Sequence, residues 1–276
     1  MLSLSIFKHP NIEGKYLSFF LNAFWWKFNQ VFIKKPVLLN ITKSIICICD
    51  PNSSYSGLVF LTGLPEFYAM KFMLEHLGQN SIFIDVGANI GVYSLLAADR
   101  IRKGKIYSFE VDKHALSSFY KNIALNGLSN IVRVEEKLVS DKNGNEYYVE
   151  EKQGETNHIQ RVLENHPGRK VKSISLDRYL DNIHIDKVDI IKIDVEGAEF
   201  KVLKGLKNYL KRNKIKIIIL EINKKIVEYG SNPYQVISFL KNFGYHGFMF
   251  SKMGKLIEIV NNEKVFKDTE NFIFLR

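Results

Sequence analysis

Through the middle of the chain, short apolar runs alternate with stretches whose apolar residues recur every three or four positions. The runs at 82–86, 104–110, 131–135, 189–193 and 215–222 have the length and the Ile, Val and Phe content of strands buried on both faces. Helical spacing follows at 90–102, 113–126, 199–212 and 233–243. Strands alternating with helices predict an α/β fold built on a doubly wound, mostly parallel sheet. Three late strand-like segments, Tyr245–Ser251, Leu256–Val260 and Asn271–Leu275, are expected to run antiparallel.

The pattern differs at the front and in one insertion. Leu17, Phe20, Leu21, Phe24, Phe28, Val31 and Phe32 make a helical stripe over residues 15–32, widened by Phe19, Trp25 and Trp26 and flanked by Lys27, Lys34 and Lys35. Such a stripe either docks peripherally on a membrane or a partner, or caps the protein's own core or a homodimer interface. The packing reading is adopted here. Residues 44–61 read as two short strands around the turn Asp50–Ser54, and Pro65 opens a helix reaching Leu77, with Gly78 as its stop. The span from Asp141 to Arg169 breaks the alternation: Asn145–Val149 is strand-like, and the polar run Gln153–Asn157 is a loop placed to act as a substrate-side lid.

The strand at Ile82 ends in Asp85, followed by Gly87, Ala88, Asn89 and Gly91 before a helix that begins near Ile90 and includes Ser94. Glycines allow the backbone to turn sharply and approach a ligand, and a helix start offers N–H groups to it. A dinucleotide fingerprint would read G-x-G-x-x-G, with no acid at the strand end to repel a pyrophosphate. Asp85 instead suits a ligand with a cationic end, such as the ammonium and sulfonium of S-adenosylmethionine. The next strand ends in Glu110, where a carboxylate accepts ribose hydroxyls.

The blocks Asp85–Ser94, Ser108–Glu110, Asn122–Asn126 and Ile191–Glu199, with Gly63–Glu66 ahead of them and Thr156 and Asn157 in the insertion, resemble the FkbM-type methyltransferases. The resemblance runs from about Gly57 to Asn223, and departs where Val111 follows Glu110 in place of the more usual proline. It implies a class I methyltransferase (Rossmann-like) domain over residues 79–276, with a seven-stranded sheet, and an N-terminal helical and β extension over 1–78. It also implies methyl transfer from S-adenosylmethionine, usually to oxygen, on sugars, polyketides or other small molecules. The cofactor would be held by Asp85, Gly87, Ala88, Asn89, Gly91, Ser94, Glu110 and Asp194. The helix after Pro65 would cover the site. Glu66 at its start either touches the cofactor or is simply an acid favoured by the helix dipole. Leu138 follows the third strand, where related folds line the adenine; an acid is missing there, which leaves backbone contacts.

An oxygen acceptor must lose a proton as it attacks. Asp194 ends an apolar strand, Glu196 lies in the following turn, Glu199 opens the next helix, and Glu221 and Asn223 close the strand after that. Asp194 or Glu196 is then the general base, or else Asp194, Glu221 and Asn223 ligate a divalent metal that acidifies the hydroxyl. The metal-free version is adopted. Glu196 and Glu199 could equally serve only to fix the turn, and His158 is a further base candidate. Ser231–Tyr234 resembles a base-methylation clamp but falls one strand too late, where it caps a helix.

Composition narrows the partners. The 276 residues are 46% apolar with a formal net charge of +10. That charge makes an RNA methyltransferase the runner-up to a sugar or glycan O-methyltransferase, and a non-catalytic nucleotide-binding module is the other alternative. No basic helix interleaved with aromatics is present, so nucleic acid is not favoured. Cys47 and Cys49, two apart on a strand, cannot bridge without distortion and read as free thiols. No run approaches the roughly 18 apolar residues of a membrane span, and no secretory leader pattern is evident, so a cytoplasmic location is expected.

Overall fold

The computed structural model describes residues 4–148, 168–259 and 270–276. Five strands are parallel: β3 (Ile82–Val86), β4 (Lys105–Phe109), β5 (Val132–Glu135), β9 (Val188–Ile193) and β10 (Ile215–Ile222). Three late strands complete the sheet: β11 (His246–Phe250), β12 (Leu256–Glu258) and β13 (Glu270–Leu275). The spatial order is β12-β11-β13-β10-β9-β3-β4-β5. All eight strands read from the pattern are present, one more than the seven the resemblance implies, with the three-residue β12 at the edge. Of the late strands, β13 pairs antiparallel with β10, and β11 pairs antiparallel with β13. Every pairing made by the late strands is thus antiparallel, as expected, and two reversals leave β11 running in the direction of the parallel five.

Strand order reverses between β3 and β9, so their carboxyl ends open a crevice at the switch point. Apolar clusters cover both faces. One packs Phe83, Ile106 and Ile190 against α3 (Phe67–His76), α4 (Val92–Arg100) and α5 (Lys113–Leu125). The other packs Ile84, Ile191 and Ile218 against α6 (Leu176–Asn182), α7 (Glu199–Lys204), α8 (Lys207–Lys211) and α9 (Pro233–Lys241). The helix expected over 199–212 is split into α7 and α8 at Gly205. A Cβ there would sit 2.2 Å from the Ser140 carbonyl oxygen, so close packing against the following layer replaces continuity.

The extension holds α1 (Tyr16–Phe28), the hairpin β1 (Val37–Asn40) and β2 (Ile46–Cys49), and α2 (Ser54–Thr62). The turn at Asp50 therefore leads into a helix, not a second strand. Ser53 adopts extended backbone and its side chain accepts from the Ser56 N–H, a cap that starts α2. Cys47 and Cys49 share the buried face of β2 as free thiols. Two asparagines of the family-like block fasten this hairpin to α5. Asn122 accepts the Ile48 N–H at 2.7 Å, and Asn126 both accepts from and donates to the Ile46 backbone. The insertion contributes a small sheet of β6 (Leu138–Val139), β8 (Arg169–Ile174) and β7 (Gly144–Tyr148). The expected lid at Gln153–Asn157 and the base candidate His158 lie outside the described residues.

Candidate functional site

The carboxyl ends of β3, β4, β9 and β10 and the starts of α2 and α3 surround a cleft of about 1050 Å³. Its floor is the glycine turn after β3. Gly87 has φ +78°, and a Cβ there would fall 1.8 Å from the Asp194 carbonyl oxygen, so only glycine lets this turn pass the end of β9. Every N–H of the turn is already used. Gly87 and Ala88 donate to the Phe109 carbonyl, Asn89 to Glu110, Ile90 to the Asn89 side chain, and Gly91 to Ala88. The expectation that this turn offers its N–H groups to a ligand is therefore corrected: no phosphate cradle remains.

Gly87, Ala88 and Asn89 line the cleft, while Asp85, Gly91 and Ser94 brace the turn from behind. Asp85 is fully buried, accepting from Ser94 Oγ at 2.6 Å, and Ser94 Oγ in turn lies 2.7 Å from Ser108 Oγ. The direct contact with a cationic ligand expected of Asp85 is thus not made by geometry. Strand alternation turns its carboxylate beneath the turn, where it acts as a strut.

At one end of the cleft, Glu110 holds a loop together. Oε1 accepts from Val111 and Asp112, and Oε2 from Asn89, all at 2.7–2.8 Å. A carboxylate has about four acceptor positions, so Oε2 keeps one for a ligand hydroxyl. Leu138, Val139 and Phe109 supply the apolar lining beside it.

The other end is acidic around one buried cation. Lys192 is 3% exposed, its Nζ lies 2.8 Å from Asp194 Oδ2, and it sits 4.8 Å from the centre of the Tyr93 ring. Burial opposes its charge, but Asp194, Glu66 and Asp85 outweigh that and hold its pKa well above the ordinary lysine value. Glu66 turns its side chain away from the α3 N–H groups and accepts from Tyr93 Oη and Asn271 Nδ2, both at 2.8 Å. Of the two readings left open for Glu66, this geometry favours the cleft. Glu66, Asp194 and Glu221 each bring a carboxylate oxygen within 4.8 Å of the others. Burial, then Asp194 and Glu66, push Glu221 well above the ordinary carboxylate range. Among the described residues its recorded hydrogen-bond partner is Asn223 Nδ2, at a long 3.5 Å.

These positions redistribute the roles expected from sequence. Asp194 lines the cleft but is committed to Lys192. Glu196 also lines it, at φ +52°, with Oε2 3.2 Å from Lys225 Nζ; burial and Asp194 raise its pKa. Asn223 spends its Oδ1 on the Lys225 N–H at 2.9 Å, so the oxygen cluster that could hold a cation is Glu66, Asp194 and Glu221, not the set with Asn223. Lys192, Tyr93 and Tyr55, which all line the cleft, are not among the residues expected from sequence. The legible signal was a lysine inside an otherwise apolar parallel strand, where a charge needs a paired acid.

Glu199 fixes the turn after β9: Oε1 accepts from Val195 and Gly197, and burial raises its pKa to about 7. Its folded pKa exceeds the ordinary 4.5, so the native state holds the extra proton between those values. Stability should therefore fall as pH rises from about 4.5 to about 7, and level off above, by on the order of 3 kcal/mol at most. Glu199→Gln keeps the Oε1 acceptor and removes the titration. Thermal melts at pH 5 and pH 8 should then show a smaller drop in the variant than in the native protein, and equal drops would refute this.

Residues 85–246 match the family model described as the methyltransferase FkbM domain. Among curated proteins, the chain is 29% identical over 150 residues to Methyltransferase 1 of Beauveria bassiana, covering 46% of this chain and 59% of that one. It is 24% identical over 154 residues to the hexuronic acid methyltransferase AglP of Haloferax volcanii, covering 56% and 61%. The match thus spans about three-fifths of these relatives' length. An rRNA methylase structure from Streptococcus thermophilus aligns with 75% of the chain and 93% of its own, at TM-score 0.45 and 12% identity.

Proposed function

The chain belongs to the FkbM methyltransferase family, and we propose that it transfers a methyl group from S-adenosylmethionine to a hydroxyl of a sugar or glycan. The observation that carries the choice of donor is the pairing of a glycine turn whose N–H groups are all spent with an acid-rich reacting end. Such a site repels a pyrophosphate and attracts a ligand with ammonium and sulfonium charges. Glu110 Oε2 has one acceptor position left for a ribose hydroxyl, and Leu138 and Phe109 offer an apolar surface for a base. Bound there, the donor supplies an electrophilic methyl group.

The chain's own residues do the rest. Glu66, Asp194 and Glu221 frame the space where an acceptor hydroxyl would sit; Glu66 accepts from Tyr93 and Asn271 and Asp194 is paired with Lys192, whereas the recorded contact to Glu221 among the described residues is the long one from Asn223. The Haloferax volcanii relative, a hexuronic acid methyltransferase, supports a sugar acceptor. An RNA acceptor is favoured only by the net charge of +10, and the carboxylates around the reacting end oppose a phosphate backbone.

Calorimetric titration with S-adenosylhomocysteine tests the donor. Glu110→Ala leaves three loop N–H groups without their acceptor, so affinity should fall at least about 100-fold while the fold persists. Unchanged affinity in a folded variant would sink the assignment. Methylation assays with free uronic acids and neutral sugars should then yield product at a rate nearly indifferent to salt, whereas steep salt dependence with RNA alone would select the runner-up.

A further inference from the structure

The helix α1 has two apolar faces, and only one is used. Phe19 and Trp26 point inward; the Trp26 ring stacks on Phe60 at 4.9 Å and lies against Gly57. The helix is therefore anchored on α2 by that side. On the opposite side Leu17, Leu21, Phe24 and Phe28 recur at helical spacing, and Phe32 continues the stripe through the wide turn Asn29–Ile33. These are large side chains left in water: Leu17 is 76% exposed, Phe24 74% and Phe32 70%. The sequence expectation that the stripe caps the protein's own core holds for the buried Phe19 and Trp26 and, at the edges, for Trp25 stacked on Phe60 and Phe20 against Phe7.

We propose that this outward face docks the protein on an anionic membrane surface, with α1 lying in the plane of the interface. Charge selects the occupant. From Gly14 to Cys49 the chain carries five lysines, at 15, 27, 34, 35 and 43, and no aspartate or glutamate. With Glu13 and Asp50 lying just outside that span, the stripe's own stretch of chain is purely cationic, which fits acyl chains beneath anionic headgroups. A second copy fits poorly, because a symmetric contact sets the same patch against itself and faces lysines with lysines. Length argues against a crossing. The 13 residues of α1 reach about 20 Å at 1.5 Å each, and the five residues of the wide turn Asn29–Ile33 still leave the segment short of roughly 30 Å of hydrocarbon. Among the described residues no single helix is long and apolar enough to span a membrane.

The surface is independent of the methyl-transfer reading, since neither Leu21 nor Phe24 lines the cleft. The test is co-sedimentation of the full chain with vesicles of phosphatidylcholine alone and of phosphatidylcholine mixed with phosphatidylglycerol. Binding should be at least about tenfold tighter to the anionic vesicles, weaken with salt, and blue-shift tryptophan emission as Trp25 enters the interface. Leu21→Asp combined with Phe24→Asp should abolish binding while S-adenosylhomocysteine titration and the melting temperature stay at native values. Lys34→Glu with Lys35→Glu should remove the preference for anionic vesicles. Absence of binding to either vesicle would overturn the proposal. So would light scattering showing a dimer that the Leu21→Asp, Phe24→Asp variant converts to monomer, which would assign the face to a second copy.

Discussion

Lys192→Met should destabilise the fold by roughly 3–5 kcal/mol at pH 8 and by clearly less at pH 5, the range seen when one partner of a buried ion pair is removed. The native ammonium is 3% exposed and faces the carboxylates of Asp194, Glu66 and Asp85. Its pKa is raised, so its contribution is complete below the ordinary lysine value and is lost only as pH climbs through the higher folded value. Between pH 5 and 8 the native lysine is thus a constant. The acids behave oppositely. Burial already raises the pKa of Asp85, Glu66 and Glu221, and Lys192 is the largest influence holding them down. Without it their folded pKa values climb further, the native state retains protons that the unfolded chain releases, and stability falls as pH rises past the ordinary carboxylate range. Urea unfolding of the variant at the two pH values should show the gap widening with pH. A gap that does not change with pH would mean that Lys192 matters only for packing against Tyr93.

That lysine also marks the limit of what the sequence made legible. The five parallel strands and the glycine turn were readable because burial on both faces imposes an unbroken apolar run, and a turn at a strand end requires glycine. In Ile190–Asp194 the same apolar run concealed Lys192, whose partners Glu66 and Asp85 lie more than a hundred residues away in the chain. The role of Glu110 was half legible: its place at the end of β4 follows from periodicity. That three of its four acceptor positions are spent on Asn89, Val111 and Asp112 depends on loop geometry. The apolar residues of α2 are dense enough to fit the period of a strand or a helix, and the Ser53 cap decides for the helix. Asn223 has the residue type of an oxygen ligand, but its side chain caps the turn at Lys224–Val227.

Glu221→Gln should lower kcat by about 10²- to 10⁴-fold, the range for loss of a general base, while S-adenosylhomocysteine affinity and fold are retained. The register that puts Glu221 in the cleft comes from its pairing opposite Asn271 on β13, a contact no local pattern encodes. Asp194 is the less available carboxylate because Lys192 occupies its Oδ2 at 2.8 Å. Among the described residues Glu221 has no such ion pair, and burial with two neighbouring acids pushes its pKa well above the ordinary carboxylate range. Asp194→Asn should also lose activity, but with a different signature: it frees the buried Lys192 ammonium and so lowers stability, which Glu221→Gln should not. The pH profile separates them further. With Glu221 as base, kcat should rise with pH through an ionisation above the ordinary glutamate value, and this limb should vanish in Glu221→Gln. Chelation decides between base and ligand. A metal-free base leaves turnover unchanged in the presence of a chelator. Turnover that stops on chelation and returns with magnesium would make Glu66, Asp194 and Glu221 the ligands of an activating ion, and would overturn the assignment of Glu221 as the proton acceptor.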